Sequence, residues 1–401
     1  MLGVDLQYTF TDFDHVREKI AGISSLDLPS FVTHKPDIKQ FKKKLAKYKK
    51  FKNLIVIGNG GSVNNFLALY EALHNPLAKE AKNAYILNTM EPEVIHELKA
   101  KCSRKDTLVM PISKSGSNMG PRESLMAFLE YPVLAITGTD GALFEIARRE
   151  KWDTIMHPDV GGRYSGRTSC ALVPALLCNI DADQINKGAI EMYRRCAPSV
   201  PIEKNPALQL SVALYQLEKE GYTEIFVPVY SSKLMGMLSL IIQLIHESTG
   251  KDGKGQTIYG SFAPESQHHT NQRFFGGKKN VVGIFLRLEK HEDSKTKVKI
   301  PHALGEIRIR DGHLRDIDGI TFAKALEFEF EGTRQDAIRK KIPHCVLTPD
   351  KLAPKSIGEF MAFWQYVAVY SSVLRDVNPY DQPQVESSKA ISFSLTKNFK
   401  K

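Results

Sequence analysis

Apolar and polar positions alternate along the chain in two kinds of run. Short β-branched stretches, NLIVIGNGGS (53–62), DTLVMPISKSGS (106–117) and YPVLAITG (131–138), each lead into Gly/Ser turns and then into residues with helical spacing. Such alternation predicts parallel strands joined by crossover helices. After a helical connection around residues 183–220, the runs TEIFVPVYSS (223–232), NVVGIFLRL (280–288) and HCVLT (344–348) repeat the theme, so a second α/β unit is predicted. Residues 229–260 contain a long apolar helix that ends on His246-Glu247 and loosens into a loop rich in glycine and lysine. Further helices are expected at 355–375 and from 385 onward. At the start, Thr11 or Asp12 can cap one helix and residues 36–50 make another, which reads as a helical preface. The stretch 289–340 alternates charged and apolar residues without a settled period. The expected division is therefore a helical segment at 1–50, α/β domains at 51–200 and 201–376, and a C-terminal helical segment at 377–401.

Composition changes this picture little. The chain has 401 residues, enough for more than one core, and its 42% apolar content is ordinary for a globular protein. The apolar stretch from Leu234 to Ile245, interrupted by Gln243, falls short of the roughly 20 residues that span a bilayer. The opening Met-Leu-Gly-Val-Asp-Leu-Gln lacks a basic segment followed by an apolar one, so no secretory signal and a cytoplasmic setting are expected. Cys102, Cys170, Cys178, Cys196 and Cys345 are scattered, without the close pairs of zinc or redox sites, and read as buried reduced thiols. The formal charge of +10 comes mostly from residues 39–52, which hold eight lysines and no acid. There Ile38, Phe41, Leu45 and Tyr48 form an apolar stripe, so the lysines read as a solvated helix face, with a tether for nucleic acid or an anionic surface as the alternative.

In open parallel sheets, ligands gather beyond the carboxyl ends of the strands, where the chemically suggestive motifs of this chain lie. SKSGSN (113–118) follows a strand and precedes a helix, so its hydroxyls and N–H groups can face an anion; an ordinary capped turn is the other reading. Neither this loop nor GNGGSVNN has the Gly-x-x-x-x-Gly-Lys-Ser/Thr of a nucleotide P-loop, and Val63 stands where a dinucleotide fingerprint has its third glycine.

These motifs resemble a known family. SKSGS resembles the phosphate loop of sugar isomerase (SIS) domains, and DVGGRYSGRTS (159–169) resembles a signature of phosphoglucose isomerases. HESTGK (246–251), ESQHHTNQ (265–272) and YDQPQVESSK (380–389) are similar to further segments of that family, in family order. The resemblance implies two SIS-type three-layer α/β/α domains with parallel sheets plus terminal helices. It also implies a homodimer and reversible conversion of glucose 6-phosphate to fructose 6-phosphate without metal or organic cofactor. By position, Gly61 and Ser62 match residues near the sugar phosphate, and Ser113, Lys114 and Ser115 match the loop that grips it. Asn118 replaces a usual threonine, Thr249 a common asparagine, Pro383-Gln384 a common Trp-Gly, and Ser388 a glycine.

The chemistry explains the residue types. Moving a carbonyl between C1 and C2 needs a base that reaches both carbons, and a carboxylate at the end of a rigid helix suits it, which points to Glu247 with Gln243 one turn earlier. A carboxylate near the negative end of a helix dipole is mildly unfavourable, and that misplacement itself points to function. The enediolate that develops is neutralised well by a fixed guanidinium; Arg163 fits, with Gly161 and Gly162 before it allowing close approach of the backbone to a ligand. Ring opening needs a proton donor and acceptor, for which His268 and Lys389 are the candidates, and the resemblance implies that the histidine enters from a partner subunit. His268-His269 has no third ligand at helical spacing, which disfavours a metal. Gln243 and Gln382 match family positions that orient hydroxyls or waters. Rival readings are an isomerase that also accepts mannose 6-phosphate and a non-catalytic SIS-domain sensor; a sensor needs only the SKSGS loop, not Glu247, Arg163, His268 and Lys389 together.

Overall fold

The computed structural model describes residues 2–7, 14–114 and 119–399. In chain order its strands are β1 (Gly3–Gln7), β2 (Asn53–Ile57), β3 (Asn83–Leu87), β4 (Thr107–Ser113), β5 (Leu134–Thr137), β6 (Asp153–Met156), β7 (Glu224–Val229), β8 (Thr257–Phe262), β9 (Val281–Leu286), β10 (Arg308–Ile309), β11 (Gly312–His313) and β12 (His344–Thr348). The helices used below are α1 (Gly61–Leu73), α2 (Ala182–Arg195), α3 (Met235–Thr249), α4 (Phe322–Arg339), α5 (Pro354–Leu374) and α6 (Glu386–Asn398).

The larger of two compact units comprises residues 10–218, 233–256 and 353–401. Its sheet runs β3-β2-β4-β5-β6, every strand parallel to its neighbours. β4 is buried along nearly its whole length, as expected for a parallel strand covered on both faces, and this is why its sequence is an unbroken apolar run. One core cluster gathers Ile55, Val109, Phe128 and Leu143. α5 is buried almost end to end and packs against α1, α2 and α3, with Trp364 and Phe363 wholly enclosed. The chain reaches its second strand β3 on one side of β2 and its third, β4, on the other, so the strand order reverses between β2 and β4.

The smaller unit comprises residues 1–9, 219–232 and 257–352. Its sheet runs β1-β12-β9-β7-β8, parallel except where β1 lies antiparallel to β12. Here the order reverses between β7 and β9. The stretch 289–340 resolves into the β10–β11 hairpin and α4, whose N-cap Thr321 accepts the Lys324 N–H at 3.2 Å.

Two expectations need correction. The first residues are not part of a helical preface: Gly3–Gln7 extends the smaller unit's sheet, because Val4 and Leu6 alternate with exposed Gly3 and Asp5 as an edge strand requires. The helix caps Thr11 and Asp12 lie outside the described residues. Nor do the compact units follow a linear division at residue 200: α3 and α5 pack beside α1, so segments from far along the chain complete the larger unit.

The lysine-rich helix spans Ile38–Leu45, capped by Asp37, which accepts the Gln40 N–H at 2.9 Å, and it buries Ile38 and Leu45. Lys42 pairs with Asp183, Lys47 with Asp153, and Lys44 donates to the Thr154 carbonyl, so part of its charge is spent within its own unit. All five cysteines are buried and unpaired. Among the described residues no helix is long and apolar enough to cross a membrane.

Candidate active site

A cleft of about 560 Å³ opens beyond the carboxyl ends of β2 and β4, where the larger unit's strand order reverses. That volume lies in the range of about 300–1,000 Å³ typical of small-molecule sites. β2 ends in the turn Gly58–Gly60, where Gly60 takes φ +58°, and α1 begins at Gly61. Gly61 lies directly against the Gly162–Arg167 turn: a Cβ there would sit 2.0 Å from the Gly162 carbonyl carbon and 2.2 Å from the Arg163 nitrogen. The buried amide of Asn65 stitches the two segments, donating to the carbonyls of Gly61 at 2.7 Å and Gly162 at 3.0 Å. Glycines at 61 and 162 thus bring two loops from distant parts of the chain to one place.

Arg163 is the hub. Its side chain is 3% exposed, and each of its N–H groups meets an acceptor. Nε donates to Ser248 Oγ at 2.9 Å; Nη1 donates to Glu247 Oε2 at 3.1 Å and to Gln382 Oε1 at 2.9 Å; Nη2 donates to the carbonyls of Pro379 and Asp381. α3 brings Glu247 and Ser248 to this point. Its buried apolar face, including Leu240, Ile241 and Leu244, anchors the helix and leaves the last turn at the cleft. Glu247 is held on its other oxygen as well: Gln243 Nε2 donates to Oε1 at 2.9 Å, and Asn64 Nδ2 donates to Gln243 Oε1 at 2.8 Å. The carboxylate is therefore fixed from both sides while its side chain remains 27% exposed.

The loop 378–382 is tied down from the same side. Lys251 Nζ lies 2.7 Å from Asp381 Oδ1 and also donates to the Asn378 carbonyl. The Lys251 hydrogen bond holds the Asp381 carboxyl below the usual carboxylate range. Tyr164, buried and stacked on Phe31 at 4.8 Å, donates to the Pro379 carbonyl at 3.0 Å, and burial pushes its phenol above the ordinary value. Neither Lys251, Ser248 nor Asn64 was singled out from the sequence, although the first two stand inside the HESTGK motif.

The cleft brings together Gly61, Ser62, Gly162, Arg163, Gln243, Glu247, Gln382 and Lys389. Lys389 comes from α6, with Nζ 2.8 Å from Glu386 and the side chain 44% exposed. Ser113 ends β4 half-buried. Lys114 does not line the cleft; it is drawn to Asp159, the acid that opens the DVGGRYS motif, and its hydrogen bond lowers the Asp159 pKa. Ser115 and Asn118 lie outside the described residues. His268 ends an exposed 3-10 turn after β8 in the smaller unit and is not among the residues of this cleft.

The fold is that of SIS-domain sugar isomerases. Over 99% of its length the chain superposes on all of a hypothetical protein from Thermus thermophilus, TM-score 0.82 at 23% identity. Over 94% of its length it matches 77% of a glucose-6-phosphate isomerase from Chlamydia trachomatis, TM-score 0.75 at 18% identity. In sequence it is 27% identical over 385 residues to the glucose-6-phosphate isomerase of Acholeplasma laidlawii, covering 92% of this chain and 89% of that one. The model of the phosphoglucose isomerase family matches residues 150–401, and the chain belongs to that family.

Proposed function

We infer that the protein is a glucose-6-phosphate isomerase, interconverting D-glucose 6-phosphate and D-fructose 6-phosphate through an enediolate. The observation that carries this reading is the Glu247 carboxylate, gripped by Gln243 and Arg163 and still partly open to the cleft. In the opened aldose, the C1 carbonyl acidifies the proton on C2. Glu247 takes that proton, the electron pair moves toward O1, the O2 hydroxyl proton passes to O1 in the enediolate, and the same carboxyl returns its proton to C1 as the carbonyl forms at C2. Negative charge on the enediolate oxygens needs a fixed cation, which Arg163 supplies. Because every N–H of Arg163 is already engaged, one must be redirected, and the contact with the neutral Gln382 amide costs least to exchange.

Ser62, Ser113, Ser115, Asn118 and Lys114, the last turning from its exposed partner Asp159, would hold the phosphate, Gly61 and Gly162 would let backbone approach it, and Gln243 and Gln382 would orient hydroxyls. Lys389 and His268 would open the ring, the histidine coming from a second copy in a homodimer. Exposure of His268 on a short turn supports that donation. The setting is the cytoplasm, in glycolysis or gluconeogenesis, where charged hexose phosphates are retained.

A coupled assay for glucose 6-phosphate formed from fructose 6-phosphate tests the reading. Glu247→Gln is expected to lower kcat by about 10²–10⁴ with substrate binding largely kept. Turnover of that variant at the parent rate overturns the assignment.

A further inference from the structure

The two sheets reverse strand order at corresponding places, between β2 and β4 in one and between β7 and β9 in the other. The first reversal opens the cleft of Glu247. The second also opens a cleft, of about 430 Å³, lined by Tyr230 just beyond β7 and by Arg287 to His291 just beyond β9. Ligands of open parallel sheets collect at this position.

The lining chemistry favours an anion. Arg287 is half-buried, its guanidinium lies 4.9 Å from the Phe330 ring centre, and its Nε donates to the Leu288 carbonyl at 3.3 Å. Among the described residues no carboxylate forms an ion pair with it. The other cations are balanced: Lys290 pairs with Asp350 at 3.0 Å and Lys324 with Glu327 at 2.9 Å. Glu289, on the exposed rim, is the remaining acid. Arg287 feels the charge of Glu327, whose direct ion pair is with Lys324, and the terminal nitrogens of the guanidinium carry no hydrogen bond among the described residues, which leaves them open to a planar or tetrahedral oxyanion. Thr321 caps α4 at the same cleft, so the positive end of an 18-residue helix adds to the field. Tyr230, which also lines it, is 1% exposed, and its ring closes the floor of the cleft edge-on to Phe330, the centroids 5.4 Å apart.

We propose that this cleft is a second anion site, distinct from the one containing Glu247, that takes a small phosphomonoester through Arg287, with the exposed Lys290 and Lys324 able to turn toward it from their half-buried carboxylate partners. The proposal stands on the smaller unit alone and does not rest on the isomerase reading.

Calorimetric titration of the whole protein with inorganic phosphate tests it. At least one phosphate per chain is expected to depend on this cleft: Arg287→Gln, which keeps a planar group on Phe330, should abolish that binding or weaken it at least tenfold, whatever the Glu247 cleft binds. Lys324→Ala, at an exposed position, should weaken the same phase by a smaller factor. Thermal melts check that both variants fold, and turnover without added phosphate should equal that of the parent. No phosphate bound by the parent, binding undiminished in the folded Arg287→Gln variant, or loss of basal turnover with Arg287→Gln would each overturn it.

Discussion

Arg163 does at one position what the resemblance distributes over a motif: it joins the end of α3, through Glu247 and Ser248, to the loop 378–382. A lysine cannot reproduce that fork, since it offers a single nitrogen. Arg163→Lys should cut kcat by about 10²–10³, the usual effect of removing a donor to a developing oxyanion, and cost ~2 kcal/mol in stability through the buried carbonyls it orphans. Steady-state kinetics and thermal melts check both, and an unchanged melt would show that the loop is held elsewhere. The loop's other tie is titratable. Asp381 has a depressed pKa in the folded chain, so its contribution is complete above the ordinary carboxylate pKa of about 3.9 and is lost as pH falls through the lower folded value. Melting temperature should therefore decline below about pH 4 more steeply in the parent than in Asp381→Asn. That Glu247, Arg163, Gln243 and Gln382 would meet in one cleft was legible because residue type, motif and chemistry agreed on each. The pairing of Lys114 with Asp159 was not legible, because no pattern along the chain shows that Asp159 folds back within reach of it.

At the scale of elements, the site depends on how closely α1 meets the Gly162–Arg167 turn. A methyl group at Gly61 would overlap backbone, which cannot swing aside as a side chain can. Gly61→Ala should destabilise by ~3 kcal/mol or more and abolish turnover even in whatever fraction folds. Gly332, inside α4 with open space around its Cβ position, is the control: Gly332→Ala should stabilise by about 0.4–1 kcal/mol and leave turnover alone. Chemical denaturation reads both; a tolerated alanine at 61 would refute the close approach. The parallel strands were legible since burial on both faces leaves continuous apolar runs. β1 was not, because five residues of alternation beside a helix-capping pair are too little signal to outweigh the helical reading.

The whole molecule is built by a chain that crosses between its units repeatedly, which periodicity cannot reveal: hydrophobic spacing says that α3 and α5 bury a face, not which sheet lies under it. The consequence is testable. A linear reading makes residues 51–200 an independent domain, yet that fragment lacks α3 and α5, the helices packed against α1, and with α5 it loses the enclosed Phe360, Phe363 and Trp364. Without them α1 and α2 would present their buried apolar faces to water, at roughly 25 cal/mol for each Å² uncovered, which exceeds the few kcal/mol by which an average domain is stable. Expressed alone, 51–200 should be insoluble or melt without cooperativity, whereas the full chain should show a cooperative transition. A sharp calorimetric transition in the isolated fragment would mean that α3 and α5 merely cover a core already complete, and that Glu247 is mounted on a folded domain as an accessory instead of being part of its structural centre.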